Sequence, residues 1–114
     1  MEIDINQLVT DIKNALSENL NKDISTIRGF SNRQLNGIVH QTSLVANAIA
    51  GGNVSNSTRD FFLEQLVELA RNFVNTLVGL LIATIERLWN ALVDLLWKAI
   101  SKVIGSQLPV FNIL

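Results

Sequence analysis

The sequence predicts an all-α fold: a long antiparallel helical hairpin of about three helices, the third very long, packed as a helical bundle in a homo-oligomer. Three observations predict it. Apolar residues recur at steps of three and four along most of the chain. One unmistakable turn, "GGNVSNST" at 51–58, divides the periodic segments. The chain is 48% hydrophobic and only 17% charged, which leaves more apolar surface than a small monomer easily hides. Its 114 residues suit a single domain, 1–114, with enough length for a core.

The first helix is expected at about 5–19. Asp4 can cap it and Gln7 completes a capping box, with Ile3 and Leu8 at the flanking apolar positions. Ile5, Leu8, Val9, Ile12, Ala15 and Leu16 then follow at helical spacing. "ENLNKD" at 18–23 is rich in Asn and Asp and ends or bends the helix.

A second helix is expected at about 24–50, capped by Asp23. Its stripe runs Ile24, Ile27, Leu35, Ile38, Val45, Ile49 and is continuous only if Ser31 and Thr42 are included. Both hydroxyls are therefore expected in the core, bonded back to the helix's own carbonyls. Gly51 suits the left-handed residue that closes a helix.

After the 51–57 turn, Ser57 and Asp60 offer a second capping box. A third helix then has no evident stop before Gly105, giving about 58–104, or roughly 70 Å if unbroken. Along it Leu66, Ala70, Val74, Leu77, Leu81, Ile85, Leu88, Leu92, Leu96, Ala99 and Val103 repeat at steps of 4, 4 and 3. That eleven-residue period predicts a nearly straight packing seam. The tail, 105–114, contains Pro109 and is apolar enough that Val110, Phe111 and Leu114 are expected to dock.

Within the third helix, Asn72 to Ile85 carry no charge. Fourteen residues are too few to span a bilayer, which takes about 20. The polar stripe of this helix also lapses here, and Gly79 and Ala83 stand in the gap with Ile82 alongside. Small residues four apart let another backbone approach closely. The competing reading is that Gly79 marks a kink between two shorter helices. Val78, Ile82, Trp89, Val93 and Trp97 lie off the seam or at its edge and widen the apolar surface. The expected interface is accordingly Gly79, Ala83, Ile82, Thr76, Trp89, Val93 and Trp97, buried against a second copy in a homodimer or, failing that, a tetramer.

Little points to chemistry. His40, the only histidine, falls in a stripe of Ser25, Gly29, Asn32, Asn36, Ser43 and Asn47, which reads as a solvated face. The positions three residues either side of it are Gly37 and Ser43, not the acids of a carboxylate di-metal bundle. Glu64 and Glu68 are four apart and can share a cation, but acids at a helix start more simply favour its dipole. Asp94 and Lys98 form an ordinary surface pair. Cysteine is absent, and "AGGNVS" follows no strand, so it is not a phosphate loop. No catalytic, cofactor-binding or metal residue is therefore expected.

Net charge is −1 and looks evenly spread: five acids and four bases in residues 1–57, five and five in 58–114. No basic cluster suggests nucleic acid. Residues 85–103 are amphipathic and could lie on a membrane, but their polar face lacks the usual lysines, and Trp89 and Trp97 read more simply as core or interface anchors. The acidic start "MEIDINQLVTD" does not resemble a secretory signal, so Asn53 and Asn56 are taken as loop residues rather than glycosylation acceptors.

The expected role is a non-enzymatic helical protein-interaction or assembly module, binding itself or another helical protein, cytoplasmic and soluble without detergent. The rival is a peripheral membrane-active amphipathic protein. A small-ligand or metal-binding bundle is a weaker third reading.

Overall fold

In the computed structural model, described for residues 2–105, the chain forms four α-helices and one short 3-10 turn. The helices are α1 (Ile5–Leu20), α2 (Asn32–Ala50), α3 (Asn56–Asn75) and α4 (Ile82–Ile104), with the 3-10 turn at Ile24–Thr26. Among the described residues there is no strand.

Helix α1 begins as expected. The Asp4 carboxylate accepts the Gln7 amide at 3.1 Å, although the Gln7 side chain turns forward and donates to Asp11 instead of back to Asp4. Asn21 ends the helix in the left-handed conformation, φ 55°, with its amide and that of Lys22 bonded to the carbonyls of Glu18 and Ser17.

The second helix is shorter than the expected 24–50. Asp23 caps only the 3-10 turn, accepting from Ser25, and the chain then loops through Gly29 before α2 starts. Ser31 is the N-cap of α2, not a core residue: its hydroxyl accepts the Gln34 amide at 3.0 Å, satisfying one of the free N–H groups of the first turn. Thr42 is fully buried, and its hydroxyl donates to the Ile38 carbonyl at 2.8 Å, as expected. Gly51, expected to be left-handed, keeps a right-handed φ of −69°; its neighbour Gly52, at φ 72°, takes the left-handed position instead.

The expected helix at 58–104 is two helices. Ser55, rather than Ser57, caps the first, accepting the Thr58 amide at 3.2 Å. Asp60 is paired with Arg59 instead of serving a capping box. The chain leaves helical geometry after Asn75 and reverses through Gly79, φ 84°, before α4 begins at Ile82. Of the two readings of Gly79, the structure has the break, complete rather than a mere kink. Helix α4 stops at Gly105, φ 71°, as expected; the tail that follows it, with Pro109, Val110, Phe111 and Leu114, lies outside the described residues.

The break lets α4 fold back antiparallel on α3. Trp89 donates its indole N–H to the Val67 carbonyl at 3.2 Å, and Arg71 holds Glu86 with two bonds of 2.7 and 3.3 Å. The result is a four-helix bundle of 42 × 28 × 20 Å. Each helix packs on its chain neighbours, α1 closes the ring against α4, and α2 and α4 meet across the diagonal. The predicted seam is largely buried, from Leu66, Ala70, Val74 and Leu77 on α3 and its end to Leu88, Leu92 and Leu96 on α4. Leu81, in the turn, is the one seam residue thrown fully outward.

Candidate functional site

The break puts one end of the bundle, here called the tip, under a short apolar turn. Val78, Leu81 and Ile82 are 52%, 77% and 83% exposed, and Gly79 and Ala83 are also exposed beside them. Singly exposed apolar side chains are common; several together on one projection are not.

This turn is tied to the loop before α2. The Val78 amide donates to the Arg28 carbonyl at 2.8 Å, and the Thr76 hydroxyl donates to the carbonyls of Phe73 at 2.6 Å and Gly29 at 3.2 Å. Gly29 makes the contact possible. Its φ is +93°, and a Cβ there would lie 1.9 Å from the Thr76 carbonyl oxygen. The apolar groups are thus presented on a fixed scaffold.

The seven residues expected to form an interface separate. Gly79, Ile82 and Ala83 stay together at the tip. Thr76 is exposed beside them, but its hydroxyl caps α3. Trp89 and Val93 are buried in the chain's own core, because the fold-back of α4 gives them α3 as a neighbour. The Arg71 guanidinium covers the Trp89 ring at 3.5 Å from its centroid. Trp97 is half-buried toward the end of α4 away from the tip, where it lines a groove between α1 and α4. Gly79 and Ala83 share no helix face, since Gly79 lies outside any helix; nothing stands within 4 Å of a Cβ built on it. The loop contact at Gly29 was missed from sequence, where that glycine was placed on the solvated face of a longer helix.

Folding also redistributes the charge. The upper half of the bundle, nearest the tip, comprises residues 13–41 and 66–93 and has six bases against four acids. The lower half has six acids, Glu2, Asp4, Asp11, Asp60, Glu64 and Asp94, against three bases. Pairing within this half leaves its excess of base unchanged, since Glu86 takes Arg71 with it. The Arg71 guanidinium bonded to Glu86 holds that carboxyl below its ordinary range, and the Ser25 hydroxyl and amide do the same for Asp23. Arg28 and Arg87 are exposed near the apolar turn, Arg87 one helical turn beyond Ala83 on the same face of α4.

The α1–α4 groove lies in the lower half. It has a volume of about 660 Å³ and an apolar floor that includes Ile3, Leu8, Leu95 and Val103. Four acids, Glu2, Asp4, Asp11 and Asp94, line it against two bases, Lys98 and Lys102. Asp94 is bonded to Lys98 at 2.9 Å.

His40 is exposed on α2, with Nδ1 2.8 Å from the Asn36 carbonyl. Glu64 and Glu68 are both exposed. Among the described residues no group of three or more His, Cys, Asp or Glu side chains is placed to hold a metal ion, and no helix is long and apolar enough to cross a membrane. Comparison with protein-family models, with characterised proteins and with solved structures returned no match.

Proposed function

We propose that the protein is a non-enzymatic helical assembly module, working in the cytoplasm, whose docking element is the apolar turn at the tip. The supporting observation is the coincidence of Val78, Leu81 and Ile82 on one rigid projection, each at least half exposed. Large apolar side chains contribute roughly 1.5–3 kcal/mol each when buried fully. Three of them can therefore anchor a contact in the way a few central residues anchor most interfaces. The preferred partner is a second copy of the chain, and a different helical protein is the next. This keeps the self-association expected from the sequence but moves its surface from a helix face to the turn.

Light scattering at micromolar concentration is expected to give at least twice the chain mass of 12.6 kDa. Ile82→Asp, at an exposed position, should return the mass to that of one chain without altering the helical circular dichroism. A monomeric wild-type chain overturns the assembly reading.

One observation favours a second reading. The apolar turn sits on the more basic half of the bundle, which suits insertion into an anionic membrane surface. Co-sedimentation with phosphatidylserine vesicles, lost in Ile82→Asp, would support that reading over assembly.

A further inference from the structure

Among the described residues, two apolar surfaces of opposite character lie in the two halves of the bundle. The tip is convex, apolar and flanked by Arg28 and Arg87. The α1–α4 groove is concave and apolar on its floor, and Glu2, Asp4, Asp11 and Asp94 line it against Lys98 and Lys102, an excess of acid. We propose that the tip of one copy docks in the α1–α4 groove of the next, so that copies join head to tail.

The shapes and charges fit in this sense and not in the alternatives. Tip against tip about a two-fold axis would bring Arg28 and Arg87 toward their own copies, and like charges across an interface oppose association. Groove against groove would oppose two linings that each carry four acids against two bases, and would leave both turns exposed. Tip into groove places Leu81 and Ile82 over Ile3, Leu8, Leu95 and Val103, with arginines facing acids at the rim. A volume of about 660 Å³ has room for such side chains, since clefts of roughly 300–1,000 Å³ hold drug-sized ligands. Because the two surfaces differ, the contact is heterologous. It leaves a free tip at one end and a free groove at the other, so growth continues to a ring or an open filament. The proposal rests on the assembly reading and adds to it the second surface, the polarity and the absence of a two-fold axis.

Complementation of two defective variants tests it. Ile82→Asp blocks the tip and leaves the groove. Asp11→Arg with Ala99→Trp blocks the groove and leaves the tip. Each alone should run as a single chain by light scattering, with unchanged circular dichroism. Mixed in equal amounts they should form a dimer of two chains and nothing larger, because the one intact tip meets the one intact groove. Should Ala99→Trp fail to fold, Asp11→Arg alone suffices: Asp11 is exposed, and its reversal should weaken self-association roughly three- to fivefold at moderate salt, in the range of surface charge pairs. Adding Arg87→Glu to the same chain should restore the affinity.

A wild type that assembles while the mixed variants stay single overturns the head-to-tail contact and leaves the assembly reading standing. A wild type that is monomeric at high micromolar concentration overturns both. A monomer that binds phosphatidylserine vesicles through Ile82 assigns the tip to lipid and overturns the proposal as well. Association that strengthens with added salt excludes the arginine-to-acid rim and overturns it too.

Discussion

Gly29→Ala is expected to destabilise the protein by about 2–5 kcal/mol, far more than any other single methyl addition at a glycine here. Two terms add. An L-residue forced to φ +93° is disfavoured by about 1–2 kcal/mol. The new Cβ would also stand 1.9 Å from the Thr76 carbonyl oxygen and 2.9 Å from its carbon. Both are main-chain atoms, so no side chain can swing aside. To reach an ordinary contact near 3.4 Å the two loops must part by about 1.5 Å. That separation breaks the 2.8 Å bond from the Val78 amide to the Arg28 carbonyl and the 3.2 Å bond from the Thr76 hydroxyl to Gly29. Each lost bond contributes about 0.5–1.5 kcal/mol, against a total stability near 5–15 kcal/mol.

Two other glycines calibrate the result. Gly79 has φ +84° but no atom within 4 Å of a Cβ, so Gly79→Ala keeps only the conformational term of about 1–2 kcal/mol. Gly37 lies on the exposed face of α2 with nothing within 4 Å, so Gly37→Ala should stabilise by about 0.5–1 kcal/mol. Urea denaturation followed by tryptophan fluorescence measures all three, at one low protein concentration so that assembly does not shift the midpoints. The expected order of stability is Gly37→Ala, wild type, Gly79→Ala, Gly29→Ala. A Gly29→Ala midpoint equal to that of Gly79→Ala would mean the two loops do not touch, and the fixed scaffold for the tip would fall with that contact.

Thr42→Val should change stability by less than about 1 kcal/mol, because the lost hydroxyl bond goes to Ile38 within the same helix and the volume is nearly kept. A loss of 2 kcal/mol or more, on the order of a buried group left unsatisfied, would show that this hydroxyl serves another partner. Arg71→Met should return the Glu86 carboxyl toward its ordinary value of 4.5 in an NMR titration, since the Arg71 guanidinium is what lowers it. The sign for stability follows: a carboxyl lowered on folding stabilises the native state above its unfolded pKa, and that contribution is lost as pH falls through the folded value. Wild type should therefore lose more stability than Arg71→Met between neutral pH and pH values below the ordinary carboxylate range, and equal losses would exclude the pair as the cause.

Much of the fold was legible because local rules and burial agree there. Asp4, Asn21 and Gly105 cap their helices by chemistry that needs no knowledge of neighbours. The buried faces of α1 and α2 follow their apolar stripes, with Thr42 inside. The expectation failed where periodicity was taken as proof of continuity. Leu77 and Leu81 keep the seam in step across the break, so the sequence looks like one helix. Two antiparallel helices facing one core each need an apolar stripe, and nothing forbids the stripes from being in phase. Ser31 misled for a related reason: a hydroxyl at a stripe position is either a tolerated core group or a helix start, and only the loop at Gly29 decides which. The missing polar face at 78–83 was a real signal, but its source was a turn that stays apolar where turns are usually polar.

The charge pattern was illegible for a different reason. Counting along the chain compares its first half with its second, and each half contributes two antiparallel helices to both ends of the bundle. Lys22, Arg28 and Arg33 cluster near the α1–α2 connection, while Arg71 and Arg87 sit near the α3–α4 connection. The break at Gly79 brings these two connections to the same end. Had 58–104 been one helix of roughly 70 Å, Arg71 and Arg87 would lie mid-rod and no basic end would exist. The same break therefore exposes the apolar turn, brings Arg28 and Arg87 near it and leaves the acids of α1 beside the groove in the other half. Restoring helical continuity across 76–81 would have to abolish all three together. A polarity that arises from one turn is in this sense a property of the fold, and it is why the two ends of the bundle differ in charge although the two halves of the sequence do not.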